Sequence, residues 1–226
     1  MSTDARLEQA LNSYELSVFG GDSSRLTDAE RGLDAVEADV ALARGRLLHA
    51  RFLAEREHGS PVEDPAELSL FRRAAELYQG IGDVAGEADA RFWIGCVHQV
   101  VRSDESTARP ELERSRALAE QAGARLTLSY ALRHLGFMAH QAGDLDTARA
   151  QFEESTRLRR EVGFRPGVAA NLIGLAYVAA AQGRHDDAAT ALDEAGAIAA
   201  TDALAFVRHV EQARTQLKQQ APASQP

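Results

Sequence analysis

The sequence repeats itself with a period of about 40 residues, and this repetition restricts the possible folds more than any other feature. Each copy has an apolar residue, a small residue three positions later, a second apolar residue and then a glycine. Steps of 41 and 40 residues separate the three clearest copies, which are Phe71, Ala74, Leu77 and Gly82; Leu112, Ser115, Leu118 and Gly123; and Phe152, Ser155, Leu158 and Gly163. A weaker copy without the glycine is Leu192, Ala195 and Ile198. Such a period is typical of stacked repeats, in which each unit packs only against its neighbours.

Each repeat is predicted to be a helical hairpin, because its apolar residues have helical spacing and two breakers interrupt it. Gly143 and Gly183 would end first helices, and Pro166 suits a helix start. First helices are expected over 41–57, 87–101, 127–142 and 167–182, and their partners over 64–79, 106–121, 146–161 and 186–199. A degenerate hairpin is expected over 4–18 and 25–38, and a capping helix over 202–218. The sequence therefore predicts an all-α, right-handed solenoid of about eleven helices with no strand, forming one domain over 1–218 before a disordered tail at 219–226.

Charge and cysteine content exclude several classes of partner. The chain has a formal net charge of -9 at pH 7, whereas nucleic acids and anionic membranes recruit basic faces. Cys96 is the only cysteine, so the chain forms no internal disulfide or thiolate cluster by itself. The N-terminal stretch lacks the apolar core of a signal peptide, and no segment is long and apolar enough to span a membrane. We expect a soluble cytoplasmic protein without a cofactor, and neither nucleic acid nor membrane as a partner.

One repeat resembles a tetratricopeptide repeat, whose signature joins an aliphatic residue, a Leu-Gly pair and, later, an alanine four residues before an aromatic. It contains Leu132, Leu135-Gly136, Ala148 and Phe152. The next repeat follows the pattern more loosely with Leu172, Leu175-Ala176, Ala188 and Leu192. The preceding repeat departs from it at Arg91 and His98 but keeps Ala108 and Leu112. The 40-residue period is similar to the long variant in kinesin light chains and in the sensor regions of large bacterial ATP-binding regulators. This resemblance covers most of residues 25–200 and implies a scaffold, a peptide receptor or a sensor.

The resemblance implies that the first helices line a concave face. By alignment, that face would carry aromatic, histidine and arginine side chains, the composition of an interaction groove. The residues are Arg46, His49, Phe52, Phe92, Trp93, Cys96, Gln99, Tyr130, Arg133, His134, Phe137, His140, Gln141, Ile173 and Tyr177. Trp93 and Phe137 also fit a second interpretation, in which they fill space between neighbouring hairpins.

Catalytic and metal-binding interpretations have less support in the sequence. His134 and His140 are six residues apart and lie off a common helical face, which argues against a two-histidine metal site. Cys96 in a helix is typical of a small buried apolar residue, and no third group is evident to orient a dyad with His49 or His134. Arg157, Arg159, Arg160 and Glu161 form a charged run that we interpret as a solvated face. No phosphate-binding loop or His-Glu-x-x-His motif occurs.

The sequence therefore favours a non-catalytic adaptor or scaffold that binds a segment of a partner protein in its concave groove, with a homodimer also possible. Arg46 and Arg133 would meet carboxylates of that segment, and Trp93, Tyr130, Phe137 and Tyr177 would hold its apolar side chains. The second hypothesis is a sensor that takes a small molecule or a short peptide into a closed pocket. The third is an enzyme that uses His134 or His140 as a general base.

Overall fold

The computed structural model describes residues 4–59 and 61–220, and all regular secondary structure in these residues is helical. Ten α-helices follow one another along the chain, and a π-helical turn at Val97–Val101 extends the fourth. They are α1 (Ala5–Gly20), α2 (Leu26–His58), α3 (Pro65–Ile81), α4 (Val84–Cys96), α5 (Glu105–Ala122), α6 (Arg125–Gln141), α7 (Leu145–Glu161), α8 (Arg165–Ala181), α9 (His185–Asp202) and α10 (Leu204–Gln220). The prediction of an all-α fold built from helical hairpins is confirmed.

The chain divides into two compact units, Met1–Ala122 and Gly123–Pro226. In the first unit α1 packs on α2, α2 on α3, α3 on α4 and α4 on α5. In the second unit α6 packs on α7, α7 on α8, α8 on α9, and α10 on both α8 and α9. Each unit therefore has a helical core of its own. The prediction of one domain over 1–218 stays a prediction.

The N-terminal part and the C-terminal end differ from the expectations. Two helices were expected over 25–38 and 41–57, but α2 runs without a break from Leu26 to His58. Neither glycine nor proline lies between residues 38 and 41, so nothing in the backbone chemistry ends the first helix there. This fusion reduces the expected eleven helices to ten among the described residues. Gln219 and Gln220 continue α10, which contradicts disorder at these two positions, and the remainder of the predicted tail lies outside the described residues.

Glycines on α2 and α4 mark close contacts with the helix that follows each of them. A Cβ atom on Gly45 would lie 2.6 Å from the ring of Phe71, and one on Gly95 would lie 2.7 Å from Leu112. The repeated serine joins the same helices, since Ser115 Oγ donates a 2.7 Å hydrogen bond to the Ala88 carbonyl. A first helix thus approaches its partner where a glycine leaves room for a large side chain at positions such as 71 and 112.

The glycines predicted to end helices have the left-handed backbone conformation that a helix C-terminus of this kind requires. Gly82, Gly123, Gly143, Gly163 and Gly183 all have φ between 64° and 79°, a region that side chains with a Cβ atom rarely adopt. The connection after α4 is different, because there the π-helical turn precedes Ser103, a non-glycine residue with φ of 54°.

Gly136→Leu is expected to lower the free energy of unfolding by about 1–3 kcal/mol or more, because overpacked side chains force their neighbours to move. A Cβ atom at this position would lie 3.3 Å from both Gln151 Cβ and Phe152 Cδ2, and the rest of the leucine would extend into the same space. Thermal unfolding measures the effect. Gly80→Leu is the matched control, since a Cβ atom at Gly80 meets nothing within 4 Å. An unchanged melting temperature for Gly136→Leu would contradict the register of the hairpin.

Candidate binding site

A pocket of about 370 Å³ lies between α6 and α8 in the second unit. Each helix contributes one face to it, because residues three, four and seven positions apart lie on the same side of a helix. The lining residues are Arg133, Phe137, His140 and Gln141 from α6; Phe152 from α7; and Ala170, Ile173, Gly174 and Tyr177 from α8. Gly174 is required at the base of the pocket, since a Cβ atom there would lie 2.7 Å from the Phe152 ring.

Six of the fifteen residues that we predicted for the concave face line this pocket: Arg133, Phe137, His140, Gln141, Ile173 and Tyr177. Phe137 is 49% exposed, so it does not fill space in the core. Tyr177 donates a 2.6 Å hydrogen bond to Gln216 Oε1, and burial raises the pKa of its hydroxyl. The wall of the pocket is mainly apolar and aromatic, and Arg133 supplies its permanent positive charge.

Arg133 donates hydrogen bonds to neutral acceptors. Its Nη1 atom donates to the Ala170 carbonyl over 2.7 Å and to Asn171 Oδ1 over 3.2 Å, and its guanidinium lies 6.0 Å from the centre of the Phe152 ring. No carboxylate within the described part of the second unit pairs with it. Burial lowers the pKa of Arg133 to about 10, so the side chain keeps its charge at neutral pH.

A second guanidinium, that of Arg159, donates a hydrogen bond to the same asparagine side chain. Arg159 is 1% exposed, and its Nη1 atom donates to the Gly167 carbonyl over 2.7 Å and to Asn171 Oδ1 over 2.9 Å. Its Nη2 atom has no hydrogen-bond partner among the described residues. Burial, with a smaller contribution from the charge of Arg133, lowers the pKa of Arg159 to about 9. Two positive charges therefore converge on one neutral amide.

The assignment of Arg159 to a solvated face was wrong, although Arg157, Arg160 and Glu161 are exposed as expected. Arg159 follows Phe152 by seven residues, which places both on the buried side of α7. Its guanidinium lies 5.0 Å from the centre of the Tyr130 ring and 5.6 Å from that of Phe164. Helical spacing could have identified Arg159, whereas nothing in the sequence singled out Asn171.

The predicted residues of the first unit belong to a separate, packed cluster. His49 and Cys96 are buried there, so they do not line an open surface. Trp93 is partly buried against the core and stacks on Phe71, with 5.5 Å between ring centres. Arg46 lies 5.5 Å above the Trp93 ring and forms an ion pair with Asp89. In the first unit, the interpretation of Trp93 as a packing residue is therefore the better one.

Cys96 and His49 do have a third group beside them, which we did not expect. His49 Nδ1 lies 2.7 Å from Glu67 Oε1, and Cys96 Sγ lies 3.7 Å from His49 Nε2. All three side chains are buried, and burial raises the pKa of the Cys96 thiol to about 12. Because the thiolate is the nucleophile, the arrangement does not supply one at neutral pH.

The other predicted residues lie outside the pocket lining. Tyr130 packs against Phe164 and Arg159, and His134 is partly buried on α6. Phe52 and Phe92 are buried in the first unit, where Gln99 is partly buried. No three His, Cys, Asp or Glu side chains are grouped to hold a metal ion in residues 4–59 and 61–220. None of the helices over the same residues has the length and apolar character needed to cross a membrane.

Comparisons with known proteins agree with the repeat pattern in the second unit. Residues 126–201, from α6 to α9, match a family model described as tetratricopeptide repeat. No curated protein matches the chain. Among solved structures, the chain is similar to the crystal structure of BtubC (BKLC) from P. vanneervenii, at 13% sequence identity and a TM-score of 0.45, over 98% of this chain and 93% of that one. The hairpin geometry and the family match agree that residues 126–201 form helical hairpins of the tetratricopeptide-repeat type.

Proposed function

We propose that the chain is a non-catalytic interaction module whose pocket between α6 and α8 binds a segment of a partner protein. Tetratricopeptide repeats generally mediate interactions between proteins. The observation that carries the proposal is the charge of Arg133, which lines a mainly apolar pocket and pairs with no carboxylate of the described second unit. A carboxylate from a partner would supply the missing negative charge.

The pocket also favours particular residues beside the acidic residue of the partner. Phe137, Ile173 and Tyr177 offer apolar and aromatic contacts beside Arg133, and aromatic residues commonly anchor such interfaces. We therefore propose an acidic residue next to an aromatic or aliphatic residue as the recognised element. Since the lining contains no Asp or Glu side chain, no carboxylate of the pocket competes with this acidic residue for Arg133.

The first unit contributes less to this proposal than the sequence suggested. Arg46 already pairs with Asp89, so its charge is compensated within the chain. A cytoplasmic location is part of the proposal, because Cys96 is a free, buried thiol and chains without disulfides are typical of reducing compartments.

Selection from a library of random twelve-residue peptides tests the proposal directly. Peptides enriched on the full chain are expected to contain Asp or Glu beside an apolar residue. Fluorescence anisotropy then compares their affinities for wild type, Phe137→Ala and Arg133→Met, the latter keeping an apolar stem while removing the charge. Each variant is expected to weaken binding by about ten-fold or more, since such anchors carry most of the binding energy.

Leu126→Ala is the matched control, because Leu126 is an exposed apolar residue of the same helix that does not line the pocket. Its peptide affinities should equal those of wild type. Equal affinities for all four proteins, or enrichment of basic peptides, would overturn the proposal.

A small-molecule sensor is a second candidate, because the pocket volume of about 370 Å³ lies at the lower end of the range for small-molecule sites. A thermal-shift screen with benzoate and phenylacetate separates the two. A stabilisation by either anion that Arg133→Met abolishes, together with no enriched peptide, would favour the sensor.

A further inference from the structure

The hairpin formed by α1 and α2 turns an apolar side of α1 away from its own core. α1 buries Ser13 and places Arg6 against α2, where Arg6 forms a 2.8 Å ion pair with Asp39. Leu7, Leu11, Tyr14 and Val18 are all exposed. α1 therefore packs inward with polar and small side chains and presents its large apolar ones to the outside, the reverse of an ordinary amphipathic surface helix.

α2 carries a second exposed apolar stripe with a spacing of seven residues. Leu26, Leu33, Val40 and Leu47 are exposed, Leu47 to 63%. A step of seven residues returns to nearly the same side of a helix, with a drift of about 20°. Helices that carry such a stripe generally bury it against another helix. In this chain α1 and α3 contact α2 through other positions, among them the buried Ala29, Ala38 and Leu42.

The two stripes lie on the same side of the hairpin. Arg6 and Ser13 of α1 face α2, and Asp39 of α2 faces α1. The exposed residues Leu7, Tyr14 and Val40 come directly after these contact residues in the sequence. One residue further along an α-helix points about 100° around its axis. Because α1 and α2 are antiparallel, this rotation turns both helices toward the same side. Together the eight residues form a continuous surface, here called the hairpin face: Leu7, Leu11, Tyr14, Val18, Leu26, Leu33, Val40 and Leu47.

The charges beside the α2 stripe indicate what covers the hairpin face. Glu30, Glu37, Arg44 and Arg51 each follow a stripe residue by four positions, and all four are exposed. Glu37 also pairs with Arg73 of its own chain. The N-terminal half of this rim is acidic and the C-terminal half is basic. An antiparallel second copy of α2 would therefore place acidic residues opposite basic ones on both halves, as a two-fold interface requires.

We propose that the hairpin face is the interface of a homodimer in which the α2 helices of two copies pack antiparallel, with Glu30 opposite Arg51 and Glu37 opposite Arg44 of the other copy. The size of the face agrees with this. The α2 stripe is about 32 Å long, and two adjacent helices are about 20 Å wide, which gives roughly 600 Å². Specific interfaces bury about 800 Å² on each partner, so the hairpin face can supply most of a small dimer interface.

Sedimentation equilibrium of the full chain tests the proposal. Wild type is expected to be a dimer at micromolar concentration, and Leu11→Glu and Val40→Glu are each expected to weaken the dimer by at least about ten-fold, because each buries an unpaired charge in the interface. Leu126→Glu is the matched control, since Leu126 is 42% exposed, close to Val40 at 44%, but lies in the second unit. Phe137→Ala should also leave the dimer unchanged, which separates this proposal from the function of the pocket.

Charge reversal tests the antiparallel arrangement. Glu30→Arg and Arg51→Glu should each weaken the dimer, and the double variant should restore it, because the reversed pair again has opposite charges. If circular dichroism shows that Leu11→Glu or Val40→Glu fails to fold, the variants at the exposed Glu30 and Arg51 still test whether the hairpin face forms the dimer. A wild-type monomer at about 100 µM, unchanged association of all four single variants, or a double variant as weak as the singles would overturn the proposal. A monomer would instead mean that a different protein covers the face.

Discussion

Arg159→Ala is expected to lower the free energy of unfolding by about 2–5 kcal/mol, because it opens a cavity in the core and leaves buried acceptors without their donor. The change removes hydrogen bonds to the Gly167 carbonyl, Asn171 Oδ1 and Ser129 Oγ. It also leaves a cavity beside Tyr130 and Phe164, whose rings the guanidinium covers. Urea unfolding followed by circular dichroism measures the loss.

Arg157→Ala is the control for this prediction, because Arg157 comes from the same charged run and is exposed. Its ion pairs with Glu154 and Glu161 lie at the surface, where such pairs contribute about 0–1 kcal/mol. Arg159→Met should lose less stability than Arg159→Ala, since methionine refills part of the space and needs no acceptors. If Arg159→Ala and Arg157→Ala were equally stable, the guanidinium of Arg159 would not be buried.

The fold could be predicted from the sequence because its determinants are local. The spacing of Phe152, Ser155 and Leu158 defines one side of a helix, and Gly163 defines where that helix stops. The continuity of α2 was missed, because the family pattern implies a boundary near residue 40 that no breaker enforces. Gly45 was also missed as the counterpart of Gly95, since no leucine or isoleucine precedes it to form the expected pair.

The site could be predicted only in part, because the alignment gives the side of a helix but not the partner of a side chain. Arg46 and Arg133 were both predicted on the concave face, yet Asp89 neutralises the first and no described carboxylate of the second unit neutralises the other. Arg133 and Arg159 both donate to Asn171, from which they are separated by 38 and 12 residues in the sequence, respectively. Such long-range contacts follow from packing, which the repeat pattern does not specify.

Phe71→Ala is expected to cost about 3–5 kcal/mol of unfolding free energy in the first unit, the usual loss for a buried phenylalanine. Phe71 is fully buried, fills the space that Gly45 leaves open, and stacks on Trp93. Alanine would leave a cavity that the helices close only in part, because the backbones of α2 and α3 are already held together by the surrounding core residues. Trp93, the single tryptophan of the chain, reports the unfolding of this unit by its fluorescence.

Phe137→Ala provides the comparison for Phe71→Ala, because the same substitution there removes a side chain that is half exposed. We expect a loss of about 1 kcal/mol or less, since an exposed ring buries little area on folding. Urea unfolding followed by circular dichroism applies to both variants, and tryptophan fluorescence assigns the loss in Phe71→Ala to the first unit. A small effect of Phe71→Ala together with a large effect of Phe137→Ala would reverse the assignment of core and site, and would remove the support for a binding pocket at Phe137.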